Sequence, residues 1–215
     1  MTVIAIDGPA GSGKSTIAAA LAERLGVAHV DTGAYYRAAT LAVLRAGVSP
    51  DDVDAALSAI AAATIDRRNG RTCLDGADVE DEIRGRAVTA TVSSVSRHPA
   101  IRKFLVELQR REVAERGAVV EGRDAGTVVV PDADLKVWLT ASTQERARRR
   151  AAQHGDASDA AVARQSADIA RRDAQDATQM TPATDAVEVD TTGCTIDEVL
   201  DAVVAHLDAA PSGRP

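Results

Sequence analysis

Aromatic residues are nearly absent from this 215-residue chain: two tyrosines, one phenylalanine and one tryptophan make up 2% of it. Proteins that grip single-stranded nucleic acid stack successive bases on rings, and four scattered rings argue against that ligand. Net positive charge is also lacking. The formal charge is −7, which disfavours binding of a polyanion by the molecule as a whole. No nucleic-acid partner is expected. The two cysteines, Cys73 and Cys194, are too few and too far apart for a disulfide framework or a metal cluster. No apolar run has membrane length, and the first residues enter a strand pattern without a signal-like segment. The expectation is a soluble cytoplasmic protein with reduced thiols and no membrane partner. Lysine is the last scarcity: of 25 basic residues only Lys14, Lys103 and Lys136 are not arginine. Arginine forks suit phosphate, but position, not number, must decide which of them matter.

What the chain does carry is Gly8-Pro9-Ala10-Gly11-Ser12-Gly13-Lys14-Ser15-Thr16. It fits G-x-x-x-x-G-K-[ST], the loop that cradles phosphates. The apolar run at residues 2–6 suits a buried strand ahead of it. Ile17, Leu21 and Leu25 behind it fall at helical spacing. Glycines let the backbone turn tightly and aim several N–H groups at one point, where the helix N-terminus adds partial positive charge. Lys14 would reach the β/γ-phosphates and the Ser15 hydroxyl would ligate Mg²⁺. A triphosphate or something like it is expected here.

Short apolar strand candidates recur at residues 3–6, 28–30, 118–120, 135–139 and 187–189, as in a parallel sheet covered on both faces. Helical patterns fall at residues 17–25, 35–46, 53–62, 97–116, 143–153, 162–173 and 195–207. The alternation predicts a doubly wound α/β fold. Two stretches stand outside it. Residues 64–82 contain Asn69-Gly70 and Asp75-Gly76, two hairpin turn signals that predict a small antiparallel insert. Residues 146–178 are polar and arginine-rich, broken near His154-Gly155-Asp156, and suggest a mobile arm over the site.

Two further segments follow strands as ligand loops do in α/β enzymes. Asp31-Thr32-Gly33-Ala34-Tyr35-Tyr36-Arg37 opens a helix; Asp31 or Thr32 could simply cap it, while Arg37 could point at an acceptor phosphate. Glu121-Gly122-Arg123-Asp124-Ala125-Gly126-Thr127 puts two acids and an arginine at a strand end, charges that a surface turn does not explain. Arg146, Arg148, Arg149 and Arg150 share one helix, which is either a solvated face or a lid over a transferred phosphoryl group. Arg171, Arg172, Asp173 and Asp176 lie at the far end of the same arm. Asp190-Thr191-Thr192-Gly193 fits the D-x-x-G of GTPases, but N-K-x-D is missing. The segment reads better as a strand end before a helix capped by Thr195, with Glu198 completing a capping box. His29, His98, His154 and His206 show no metal spacing, so structural or surface roles are expected for all four.

Together these segments resemble the bacterial cytidylate kinases, and the likeness runs from residue 2 to about 206. Residues 6–16 resemble the family's opening. Residues 31–37 look like its D-[ST]-G-A-x-Y-R. Residues 121–129 are similar to its G-R-D-x-G-T segment, followed by Pro131-Asp132-Ala133. The resemblance implies a single P-loop kinase domain: a five-stranded parallel sheet flanked by helices, a small antiparallel β insert and a helical lid. The core would comprise about 1–32, 117–145 and 185–208, the monophosphate-binding insert about 33–116 and the lid about 146–180. It also implies contacts to cytidine monophosphate from Thr32, Tyr36, Ser93, Arg102 and Asp124, with the cytosine edge read by Ser93, Arg102 and Asp124. Arg37 and Arg123 would hold the acceptor phosphate, and Arg172 and Asp176 would meet phosphate and ribose. The pattern departs at one place: the family's arginine three residues beyond Asp176 is Gln179 here.

The expected reaction is ATP with CMP or dCMP giving ADP and CDP or dCDP, with Mg²⁺ accompanying the donor and the chain acting as a monomer. Lys14, Arg123, Arg149 and Arg172 form the expected catalytic set. A different acceptor such as UMP, or a nucleotide-dependent switch without an acceptor, are the alternatives.

Overall fold

The structure is a computed structural model that describes Met1–Ala210 apart from Asn69, His154, Thr178 and Gln179, with only the main chain of Glu115, Arg116 and Gln175. In chain order it begins with β1 (Val3–Asp7), α1 (Lys14–Leu25), β2 (Ala28–Asp31), α2 (Thr32–Arg45) and α3 (Val53–Ala62). A small sheet follows, β3 (Ile65–Arg68), β4 (Arg71–Leu74) and β5 (Ala77–Asp78), then a short 3₁₀ turn at Glu82–Arg84. Next come α4 (Arg86–Ser96), α5 (Pro99–Arg116), β6 (Ala118–Gly122), a π-helical turn at Ala125–Val129 and β7 (Leu135–Thr140). The chain ends with α6 (Thr143–Gln153), α7 (Asp159–Asp176), β8 (Val187–Asp190) and α8 (Ile196–Ala209). By compactness it divides into two units, Met1–Val30 with Val113–Pro215, and Asp31–Glu112.

The first unit is organised by a five-stranded parallel sheet in the order β2-β6-β1-β7-β8. All five residues of β1 are buried, because a central strand of a sheet covered on both faces has no solvent side. Ile4, Ile6, Val119, Val137 and Leu139 pack with Ile17, Leu21, Val199, Leu200 and Val203 from α1 and α8. Burial of each such side chain stabilises the fold by about 1.5–3 kcal/mol. The register matters most for function. Asp7 lies opposite Gly122 on one side and Trp138 on the other, and Thr140 lies opposite Asp190. The carboxyl ends of β1, β6, β7 and β8 therefore share one edge. That edge is where open α/β sheets gather ligands.

The second unit holds the antiparallel insert foreseen from its turn signals. β4 and β5 are joined by Asp75-Gly76, both at positive φ (52° and 79°). That is the backbone of a two-residue hairpin turn whose twist matches the strands. The other signal, Asn69-Gly70, includes Asn69, which lies outside the described residues. One helix was not foreseen: α4, whose run of Thr, Ser and Val has weak helix propensity. Its Val88 and Val95 are buried nonetheless, and at that helical spacing packing outweighs propensity. Pro99 then occupies the first position of α5, where its missing N–H costs nothing. α7 begins three residues earlier than the apolar pattern suggested, because Ser158 caps it by accepting from Ala161 N.

Candidate active site

The phosphate loop joins β1 to α1. Gly8 has φ 151°, and a Cβ there would lie 2.1 Å from the carbonyl oxygen of Leu139, so only glycine fits. Gly13, at φ 96°, is the N-cap of α1 and supplies no side chain to the first helical amides. No acid lies in that first turn either. By contrast α2, α3, α7 and α8 are capped by Asp31, Asp52, Ser158 and Thr195. α1 thus presents uncapped N–H groups and its positive dipole end, a ready seat for phosphate.

Lys14 is buried and donates to the Pro9 carbonyl at 2.7 Å. Burial, and then the nearby Arg123 charge, hold its pKa well below the ordinary lysine value. A cation so placed gains from an anion more than it would in water. Ser15 is exposed, and its Oγ donates to Glu121 Oε2 at 2.7 Å. The other Glu121 oxygen is 2.9 Å from His29 Nε2. Burial pushes the Glu121 carboxyl up, but His29, Ser15 and Lys14 more than offset this and hold it below the usual glutamate value.

The loop after β6 is fixed from beneath. Asp7 accepts from Ala125 N at 2.8 Å and Gly126 N at 2.7 Å, which anchors the π-helical turn following Arg123 and Asp124. Burial raises the Asp7 pKa against the lowering effect of those two amides. Arg123 donates through Nη1 to Gly8 O (3.2 Å) and through Nε to Asp176 Oδ2 (3.1 Å). Half-buried Arg172 has its pKa lowered by burial and then by Arg123, while Asp176, Asp173 and Asp168 oppose that shift. Two guanidinium groups that repel one another favour an anion between them.

The arginine cluster of α6 divides. Arg148 is exposed, as a solvated face would have it. Arg146 is buried and donates to Ala10 O (3.0 Å) and Asp173 Oδ2 (2.6 Å), while Asp173 Oδ1 accepts from Ala10 N (3.4 Å). Arg149 donates through Nη1 to Ser12 O (3.3 Å) and Thr191 Oγ1 (2.8 Å), through Nη2 to Thr191 O, and through Nε to Glu145. The Thr191 hydroxyl lies within 3.1 Å of Ser12 O and 3.0 Å of Thr140 O. Both arginines thus brace the main chain of the phosphate loop. The D-x-x-G segment is the strand end and turn that supply Thr191, and the Thr195–Glu198 capping box is present. Gln179, in place of the family's arginine, lies outside the described residues, as does His154.

In the second unit, Asp31 caps α2 by accepting from Ala34 N (3.0 Å), and Arg84 reaches it at 3.4 Å. Thr32 is buried, and its carbonyl accepts from the buried Gln109 amide at 3.4 Å. Arg37 donates through Nη1 to Ile83 O (3.1 Å) and Thr89 Oγ1 (3.0 Å). Arg102 stacks its guanidinium 5.5 Å from the Tyr36 ring centroid. Burial, and then Glu112, to which its hydroxyl donates, raise the Tyr35 pKa. Ser93 lies on the unforeseen α4. The residues that pattern reading did not single out, His29, Asp7 and Gln109, are joined to their partners across 92, 118 and 77 positions. No local spacing signals such pairs.

Both cysteines are free, and among the described residues no helix is long and apolar enough to cross a membrane. A solved structure of an uncharacterized protein from Eubacterium ventriosum superposes with TM-score 0.55 at 13% identity, covering 97% of this chain and 99% of that one; it shares the fold. Curated relatives are closer in sequence. The cytidylate kinase of Rhodococcus opacus is 50% identical over 92% of this chain and 91% of its own. That of Symbiobacterium thermophilum is 46% identical over 95% of each, and that of Geobacter sulfurreducens 45% identical over 93% and 89%. The cytidylate kinase family model matches residues 4–209, and this chain belongs to that family.

Proposed function

We propose that this chain transfers the γ-phosphoryl group of ATP to CMP or dCMP, giving ADP and CDP or dCDP. The observation that carries the proposal is the uncapped N-terminus of α1 with buried Lys14 beside it, Arg123 near that lysine and Arg172 near Arg123, in a member of this family. The loop amides and Lys14 hold the donor phosphates. Phosphate returns to Lys14 the charge stabilisation that burial removes, so the lysine is poised for charge that builds during transfer.

The residues present fit Mg²⁺. Among the described residues no three His, Cys, Asp or Glu side chains gather into a cage. Mg²⁺ needs none, since one or two protein oxygens plus phosphates and water complete its shell. Ser15 Oγ spends its proton on Glu121 and keeps lone pairs for a cation. Mg²⁺ bound there would neutralise phosphate charge.

For the acceptor, the family resemblance assigns Arg123 and Arg37 to the CMP phosphate, and Thr32, Tyr36, Ser93, Arg102 and Asp124 to the nucleoside. Arg172 and Asp176 contribute from the lid. Arg149 contributes by keeping Ser12 in place. No protein base is required, because the acceptor phosphate loses its second proton near pH ~6. Catalysis is alignment plus charge neutralisation. A coupled ADP-release assay across CMP, dCMP, UMP and AMP tests the proposal. ADP is expected with CMP and dCMP well above the other two; ADP release unaffected by any monophosphate would overturn it.

A further inference from the structure

Among the described residues, Glu121 is the carboxylate that accepts from the Ser15 hydroxyl, and it is held from both sides. Its side chain is 4% exposed. Oε2 accepts from Ser15, on the first turn of α1, and Oε1 faces Nε2 of His29, on β2. An ionised carboxylate only accepts hydrogen bonds, so Nε2 carries the proton and donates. Two donors, His29 and Ser15, thus converge on the Glu121 carboxylate, the three side chains drawn from three elements of one unit.

We infer that His29 is a positioning residue for the donor site: it fixes the Glu121 carboxylate, which fixes the Ser15 hydroxyl with its lone pairs turned to the cation that accompanies the donor phosphates. The inference rests on the function proposed above only for the identity of that cation. Without His29, Oε1 loses this 2.9 Å hydrogen bond at a side chain that is almost fully buried. The carboxylate is then held less firmly on that side, and the Ser15 proton has a less sharply fixed acceptor. Groups that orient a metal-ligating side chain typically contribute about 10- to 100-fold to metal affinity. A half-buried histidine that merely fills space would contribute to stability alone.

Calorimetric titration of ADP in MgCl₂ and in EDTA separates the two roles without using catalysis. Wild type, His29→Leu, His29→Gln, Ser15→Ala and the His29→Leu/Ser15→Ala pair are compared, each checked for folding by its melting temperature. His29→Leu is expected to shrink the Mg²⁺-dependent gain in ADP affinity by about 10-fold and to leave affinity in EDTA unchanged. His29→Gln, whose amide can donate to Oε1, restores the gain to within about threefold of wild type. In the Ser15→Ala background His29→Leu adds nothing further, since both act on one hydroxyl. Equal weakening in MgCl₂ and EDTA, no change in either, or no rescue by glutamine overturns the inference. Failure of the wild type to phosphorylate CMP would remove the proposed acceptor reaction and leave this result standing.

Discussion

In the unit built on β1, the cations nearest the phosphate loop are buried or half-buried and tied to main-chain oxygens: Lys14 to Pro9, Arg146 to Ala10, Arg149 to Ser12 and Thr191. In Asp31–Glu112 the ion pairs lie largely in solvent. Arg71 with Asp78, Arg97 with Asp51 and Arg45 with Glu82 all have side chains at least 45% exposed. Exposed pairs contribute about 0–1 kcal/mol each. Breaking a buried pair costs about 3–5 kcal/mol. The same residue type therefore has two uses in one chain. Around the phosphate loop arginine and lysine fix backbone geometry; in the insert many of them dress a surface, while Arg37, Arg67, Arg84 and Arg102 join an internal partner or an aromatic ring.

The sharpest way to break that contrast is Lys14→Met. Turnover with CMP should fall about 100- to 1,000-fold. The ligand-free fold should gain roughly 1 kcal/mol, or about 2–4 °C in melting temperature, because an apolar side chain replaces a desolvated charge. The gain has a sign in pH. The folded pKa of Lys14 is lowered, so between it and the ordinary value of 10.5 the unfolded chain binds the extra proton. Wild-type stability rises with pH across that window. The advantage of the methionine variant should shrink accordingly as melts are run at higher pH.

Arg123→Ala should come next. It removes an expected acceptor contact, so kcat with CMP falls about 100-fold while ATP affinity by calorimetry stays nearly intact; loss of ATP binding would refute its acceptor role. Thr191→Val deletes the hydroxyl shared by Arg149, Ser12 and Thr140. The expected cost is about 1–3 kcal/mol in thermal or urea unfolding, with weaker ADP binding as the loop loosens. Arg71→Ala, in the exposed group, should leave both the melting temperature and CMP turnover essentially unchanged. A large effect there would end the contrast between the two regions.

The conformation of the phosphate loop was legible because it is written in neighbouring residues. Gly8 and Gly13 take positive φ (151° and 96°) and Lys14 opens α1, as the spacing of the motif predicts. The sheet was equally plain, since buried parallel strands read as apolar runs. The hairpin at Asp75-Gly76 followed from the φ those residues tolerate. α4 escaped because Thr, Ser and Val conceal a helix that tertiary packing enforces. The bracing of the loop escaped because Ser12–Thr191 and Ala10–Asp173 are joined across 179 and 163 positions. The same holds for His29, whose role follows from Glu121 and from nothing in its own sequence context. Acceptor-side roles for Ser93 and Arg102 came only from family resemblance, because no spacing marks them.

The most direct measurement uses ATP labelled with ³²P in the γ-phosphate, incubated with the chain, Mg²⁺ and CMP and separated chromatographically. The label should appear in CDP, in step with ADP, and should remain in ATP when CMP is withheld. Label released as inorganic phosphate, with none in CDP, would contradict phosphoryl transfer to CMP.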